Sequence, residues 1–155
     1  MALSSNALCA KAKAMYGYRI GEEGYSDLCR KQSLSEMVTY LKSQTKYSGV
    51  LEDINVRNVH RRQVEAALNK EYFERCARLM KYAPKKNQDF YSQEVIGIEV
   101  QLIVDKVVSI KEKDQASFSL EIPDYLASKM SFNIYGLINV DNYKDCLLYT
   151  SDAAD

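Results

Sequence analysis

The sequence holds one histidine, two prolines and no CxxC pair. It also lacks a glycine-rich phosphate loop and any run approaching about eighteen apolar residues. Each absence closes a class. His60 has no carboxylate or nucleophile near it in sequence, so it lacks the setting of a general base. Cys9, Cys29, Cys76 and Cys146 lie far apart, which excludes a zinc motif or a disulfide framework and reads as reduced thiols. Cys9, Cys29 and Cys76 are expected to be small core residues. The carboxylates of Glu22-Glu23 and of Glu71 with Glu74 have no metal-ligand spacing, so neither a metal nor a cofactor is expected. Without a long apolar run there is no membrane span, and Lys11 and Lys13 interrupt the place where a secretory signal needs an unbroken apolar core. The chain is expected to stay in the cytoplasm. Charge is balanced at 21 basic against 21 acidic residues, which gives no field for nucleic acid or anionic lipid.

What is present is helical patterning. With 155 residues and 46% apolar content the chain can bury a core. The stretch 59–82 organises the rest: Val64, Leu68, Tyr72, Cys76, Leu79 and Ala83 recur at helical spacing. Charged residues from Arg61 to Lys81 fill the other positions, and Pro84 stops the run. A second stripe, Phe73, Ala77 and Met80, widens the apolar face and calls for neighbours on two sides.

Before that helix, Ser4 or Ser5 can cap a helix running to about Ile20, with Leu8, Ala12 and Met15 on one face and Ala7, Ala14 and Tyr18 beside it. Gly21 is a natural stop. Glu22 to Arg30 predicts a short helix with Tyr25, Leu28 and Cys29 inward, weakened by Gly24. Ser33-Leu34-Ser35-Glu36 has capping-box spacing and opens a helix to Lys42 that buries Met37, Tyr40 and Leu41. Tyr47 to Glu52 adds a turn or two, and Asp53 to Asn58 is a polar connector. After Pro84 a basic turn, Lys85-Lys86-Asn87, leads into 90–111. There Tyr91, Val95, Ile98 and Leu102 form one helical stripe and Ile96, Val100, Ile103, Val107 and Ile110 a second, although Ile96 to Val104 also alternates as a strand would. A span of that length without proline exceeds an ordinary strand and predicts a long helix, antiparallel to the central one. Glu112 to Pro123 is a connector, and helical signals resume through Tyr125, Leu126, Met130, Leu137 and Val140. Leu34-Ser35-Glu36-Met37 and Val140-Asp141-Asn142-Tyr143 echo each other faintly.

The last ten residues, Cys146 to Asp155, are similar residue for residue to the translation of a common sequencing adapter, and are expected to be foreign to the natural chain. Without Asp152 and Asp155 the remainder carries 21 basic and 19 acidic residues, a net charge of +2.

Several stretches, in order, resemble one family: the C subunit of V-type and archaeal-type rotary ATPases, counterpart of the eukaryotic subunit d. Asn6 to Met15 looks like its opening helix. Ser33 to Lys42 followed by Thr45 and Tyr47 is similar to its helix, threonine and tyrosine segment. His60-Arg61-Arg62-Gln63-Val64-Glu65 through Tyr72 and Arg78-Leu79 looks like its long helix. Gly97-Ile98-Glu99 departs from the Asn-apolar-Lys element that members often have there. The resemblance implies an all-α fold, an antiparallel helical bundle forming one complete module of a multi-module funnel plus the start of a second. On that division 1–112 is the first module, 113–123 a connector, 124–145 the start of the second, and 146–155 the adapter-derived tail. It also implies a non-catalytic subunit with no site residues, peripheral to the cytoplasmic face of the membrane. Its partners would be the central-shaft subunits and the membrane rotor ring of a machine coupling ATP to proton or sodium transport. The alternative from the residues alone is a free-standing helical interaction scaffold. Arg57, His60, Arg61 and Arg62 could hold a phosphate, but a solvated helix start accounts for them. The tyrosines suggest base stacking only if they line one basic surface, and Tyr72 and Tyr40 are expected in the core.

Overall fold

The computed structural model describes residues 2–84, 88–113, 118 and 120–151, without the side chains of 2–5 and 88–90. The basic turn 85–87 lies outside the described residues. The fold is an all-α helical bundle, with no strand among the described residues. In chain order it comprises α1 (Ala2–Tyr16), α2 (Glu22–Cys29), α3 (Leu34–Gln44), a 3-10 turn (Val56–Asn58), α4 (Arg61–Tyr82), α5 (Gln88–Lys111), α6 (Asp124–Ala127), a second 3-10 turn (Ile134–Asn139) and α7 (Tyr143–Ser151). Two compact units divide the chain, Met1–Arg75 and Cys76–Asp155, so that the division falls inside α4.

In the first unit, α1 takes Ser4 and Ser5 into its first turn instead of using either as a cap. It ends at Tyr16, not near Ile20, because Gly17 follows. The Gly17 amide still bonds Lys13, and those of Tyr18 and Arg19 tighten onto carbonyls three residues back. Leu8, Ala12 and Met15 are half-buried as expected, while Ala7, Ala14 and Tyr18 are exposed. In α2 only Leu28 of the expected inward set is half-buried; Tyr25 and Cys29 are exposed. Gly24 has a packing reason, since a Cβ there would lie 2.6 Å from Ile20 Cγ2.

The capping box opens α3 as expected. Ser33 Oγ accepts from the Glu36 amide at 3.2 Å, and the Glu36 carboxylate reaches back to the Gln32 amide at 3.0 Å. Thr45 closes the helix: its hydroxyl donates to the Leu41 carbonyl at 2.5 Å and accepts from the Tyr47 amide at 3.2 Å. The core comprises Val38, Leu41, Leu51 and Val64, with Met37 and Tyr40 only half-buried. The chain between α3 and α4 is fixed by side chains of α3. Ser35 Oγ donates to the Val56 carbonyl at 2.8 Å, and Lys42 Nζ donates to Glu52 and Ile54 carbonyls at 3.1 and 2.8 Å. Buried carbonyls without ladder partners need such donors.

On α4 the two apolar stripes fare differently. The second, Phe73, Ala77 and Met80, is buried throughout; the first is buried only at Val64, and Tyr72 is 45% exposed. Arg75 explains part of the change. Its guanidinium bonds Glu71 at 2.6 Å and lies 5.3 Å from the Tyr47 ring centroid. Burial opposes that charge, but the Glu71 hydrogen bond and Tyr47 more than offset it, so the proton is held more tightly than in free arginine.

In the second unit α5 is a helix, and the strand alternative for 90–111 falls away. Its buried stripe is Val95, Ile98, Glu99, Leu102, Lys106 and Ser109, a helical spacing no strand could bury. Ile122, just before Pro123, and Leu126 of the single-turn α6 are buried as well. The helical signals from Tyr125 to Val140 are divided between α6 and a 3-10 turn capped by Asn133, whose side chain accepts from the Tyr135 amide at 3.3 Å. The first unit uses the same device. Asn55 accepts from the Arg57 amide at 3.0 Å ahead of its own 3-10 turn, and both turns end on an extended valine, Val59 and Val140. The same device thus occurs at Asn55-Val56 and at Asn133-Ile134, while the Leu34 and Val140 echo falls elsewhere in the chain. Val140 precedes a helix, whereas Leu34 lies within one.

Cysteine burial reverses the expectation. Cys9 and Cys29 are exposed, Cys76 is intermediate and Cys146 is buried, on the inner side of α7. Burial pushes the Cys146 thiol up from its ordinary range, opposed by the nearby Lys106 charge.

Three outcomes follow from this packing. Ser33→Ala, which removes the cap of α3, is expected to cost about 1 kcal/mol in urea unfolding, and Leu51→Ala about 2–5 kcal/mol because Leu51 is fully buried. At pH 8 iodoacetamide should label Cys9 and Cys29 first, Cys76 later and Cys146 only after unfolding, as read by mass spectrometry.

Candidate interaction site

The charged groups singled out in the sequence are placed apart by role. His60 is exposed and its amide donates to Gln63 Oε1 at 3.1 Å, so that Gln63 completes the start of α4. Arg57 is exposed, and Arg61 pairs with Glu65 at 2.7 Å on the solvent side of α4. An exposed pair of this kind contributes little. Glu22 and Glu23 occupy the first turn of α2, where carboxylates complement the free amides. Glu71 is taken by Arg75. Among the described residues no group of three or more His, Cys, Asp or Glu is positioned around a metal. Tyr40 is half-buried, with Lys31 Nζ 5.1 Å from its ring centroid, and the Tyr72 ring lies tilted at 55° to that of Phe73, centroids 5.8 Å apart.

The charges that stand out are two outside the candidates drawn from the sequence. Glu99 and Lys106 lie two turns apart on the buried stripe of α5, and Lys106 is 1% exposed. Glu99 accepts from the Ser131 amide, and Lys106 Nζ donates to the Ile138 carbonyl at 3.3 Å. The carboxylate thus meets an amide before the second 3-10 turn, and the ammonium meets a carbonyl at its far end. Because only main-chain atoms are bonded, the pair sets where residues 131–138 lie along α5 whatever their side chains. Two signals pointed here: both residues fall on the apolar spacing of α5, and Glu99 sits in the Gly97-Ile98-Glu99 departure from the family pattern.

Opposite this stripe α5 remains apolar. Ile96 and Val100 are each 54% exposed, and Val104 and Val108 continue the row. A helix apolar on nearly all sides belongs in an interior. The row is an exposed apolar patch with few charges along it, the kind of surface that occurs at protein interfaces. Among the described residues no helix is long and apolar enough to cross a membrane.

The polar pair can be probed by stability. Glu99→Gln keeps an oxygen for the Ser131 amide, whereas Glu99→Leu leaves that amide unpaired. Glu99→Leu is expected to lower unfolding free energy by about 1–3 kcal/mol more than Glu99→Gln, measured by urea denaturation.

Compared with known proteins, the chain matches the family model described as ATP synthase (C/AC39) subunit over residues 8–152. No curated protein matches it, and no solved structure does. A match across nearly the whole chain, on an all-helical fold, identifies the protein as a member of the ATP synthase (C/AC39) subunit family, a subunit of V/A-type ATPases.

Proposed function

We propose that this chain is a non-catalytic central-stalk subunit of a rotary V/A-type ATPase, linking the shaft of the soluble motor to the membrane rotor ring. The family match over 8–152 carries the reading. Such a part transmits torque through packing, so it needs stiff helices and surfaces for neighbouring subunits. The 22-residue α4 and the 24-residue α5 supply the first, and the open apolar row of α5 suits the second. Peripheral attachment at the cytoplasmic face, through the complex and without a span of its own, belongs to the same proposal.

The module division at 1–112, 113–123 and 124–145 is proposed with it. It rests on the family resemblance of the sequence, which implies one complete module before the connector and the start of another after it. We propose equally that 146–155 derives from an adapter, on its residue-for-residue likeness. In the structure Cys146 to Ser151 continue α7, and Tyr149 donates to the Asn133 carbonyl at 2.5 Å. Amplifying the source DNA across the Asp145 codon and sequencing it without that adapter should return different residues after Asp145. Recovery of the same ten codons would overturn the tail assignment.

The stalk reading is tested by expressing the reading frame recovered from source DNA with an affinity tag in a host that assembles the complex. Shaft and ring subunits should co-purify in fixed ratio and resist a salt wash, as identified by mass spectrometry. A tagged chain that purifies alone would sink the stalk role and favour the free-standing scaffold.

A further inference from the structure

The second unit contains a pocket of about 180 Å³ where the end of α4, the start of α5 and α6 come together. Met80, Ala83 and Val95 form its apolar wall, and Tyr91 and Tyr125 close its sides. An apolar cavity of about 150 Å³ accepts a benzene ring, whereas sites for whole cofactors or drug-sized ligands start at about 300 Å³. This pocket therefore suits one branched or aromatic side chain and no larger molecule.

Lysines stand beside it: Lys129 is part of its lining, and Lys81 reaches the Tyr125 ring. Lys81 and Lys129 place their ammonium groups 5.4 and 5.9 Å from the Tyr125 ring centroid. At these distances the ring attracts both charges and holds them near the pocket. Among the described residues neither ammonium has a carboxylate in ion-pairing range, although Lys31, Arg61 and Arg75 all meet rings or acids of their own element or its neighbour. Both charges are exposed near one tyrosine, where an anionic group of a partner can reach them.

We propose that this pocket is an anchor site for a protein partner, receiving one bulky apolar side chain from a segment whose adjacent residues are acidic. Charge complementarity selects the partner: the apolar residue fills the cavity, and its neighbouring carboxylates meet Lys81 and Lys129. Small, well-fitted pockets ringed by polar contacts are where binding energy concentrates at protein interfaces. The proposal rests on the stalk reading, since a subunit held by protein neighbours needs such anchors. It adds a location and a partner chemistry to that reading.

The test uses the whole chain with ¹³C-labelled methionine and valine methyl groups. The probe is the peptide acetyl-Glu-Leu-Glu-amide, compared with acetyl-Gln-Leu-Gln-amide and with free 4-methylpentanoate. Saturable shifts of the Met80 and Val95 methyls with the acidic peptide are expected, with affinity at least about fivefold weaker for the glutamine peptide. The double substitution Lys81→Gln, Lys129→Gln touches only exposed side chains and should weaken the acidic peptide by a similar factor. Ala83→Leu, which fills the cavity, should abolish the shifts.

No shift at millimolar peptide would overturn the proposal, as would equal affinity for the two peptides. Free 4-methylpentanoate binding as tightly as the acidic peptide would assign the pocket to a small acid instead. A chain that co-purifies with shaft and ring subunits yet ignores the peptide loses only the anchor site. One that binds the peptide and joins no complex loses the stalk role.

Discussion

Every backbone amide and carbonyl outside a regular helix has to find a partner, and in this chain that requirement shapes both units. The segment leading to α4 is held by Ser35 and Lys42, seven residues apart on α3, through the carbonyls of Val56, Glu52 and Ile54. Residues 131–138 are held by Glu99 and Lys106, also seven apart, on α5. Two turns of helix put both side chains of each pair on one face about 10 Å apart. In each unit a straight helix thus acts as a ruler along which an irregular segment is laid. Apolar packing alone is non-directional and would leave such segments free to slide. The polar bonds supply the register.

The Asn-capped 3-10 turns are the second half of this arrangement. Asn55 and Asn133 each satisfy an amide at the turn's start, and Val59 and Val140 leave it in extended conformation. That is a local solution reached twice in one chain. It gives a physical meaning to repetition that hydrophobic spacing does not reveal, because the repeated feature is a hydrogen-bonding turn and not an apolar face.

The helices were largely legible in the sequence, since α4 and α5 are long and strongly periodic and Ser33 with Glu36 marks the start of α3. What periodicity could not decide was which stripe is covered. Both stripes of α4 are apolar, yet Phe73, Ala77 and Met80 are buried while Tyr72 faces solvent. On α5 the Val95, Ile98 and Leu102 stripe is inside and the Ile96 and Val100 stripe outside. Burial depends on where neighbours lie, and a single stretch does not contain that. The cysteines failed for a related reason: small apolar residues fit a core, but Cys9 and Cys29 stand on short or terminal helices with few neighbours. Glu99 and Lys106 escaped notice because charge reads as solvent-facing, although their positions on the apolar spacing were visible. Family membership came from the ordered resemblance and the family match, and from no single motif.

The central claim is that this family member couples a shaft to a ring, and the most direct measurement separates coupling from catalysis. Membrane vesicles carrying the rotary ATPase of the source, stripped of this subunit and then supplied with the chain encoded by the source gene, would be assayed for ATP hydrolysis and ATP-driven ion uptake together. The account predicts that stripped vesicles hydrolyse ATP without moving ions, and that adding the chain restores uptake. Undiminished uptake in stripped vesicles, or no recovery after the chain rebinds, would contradict it.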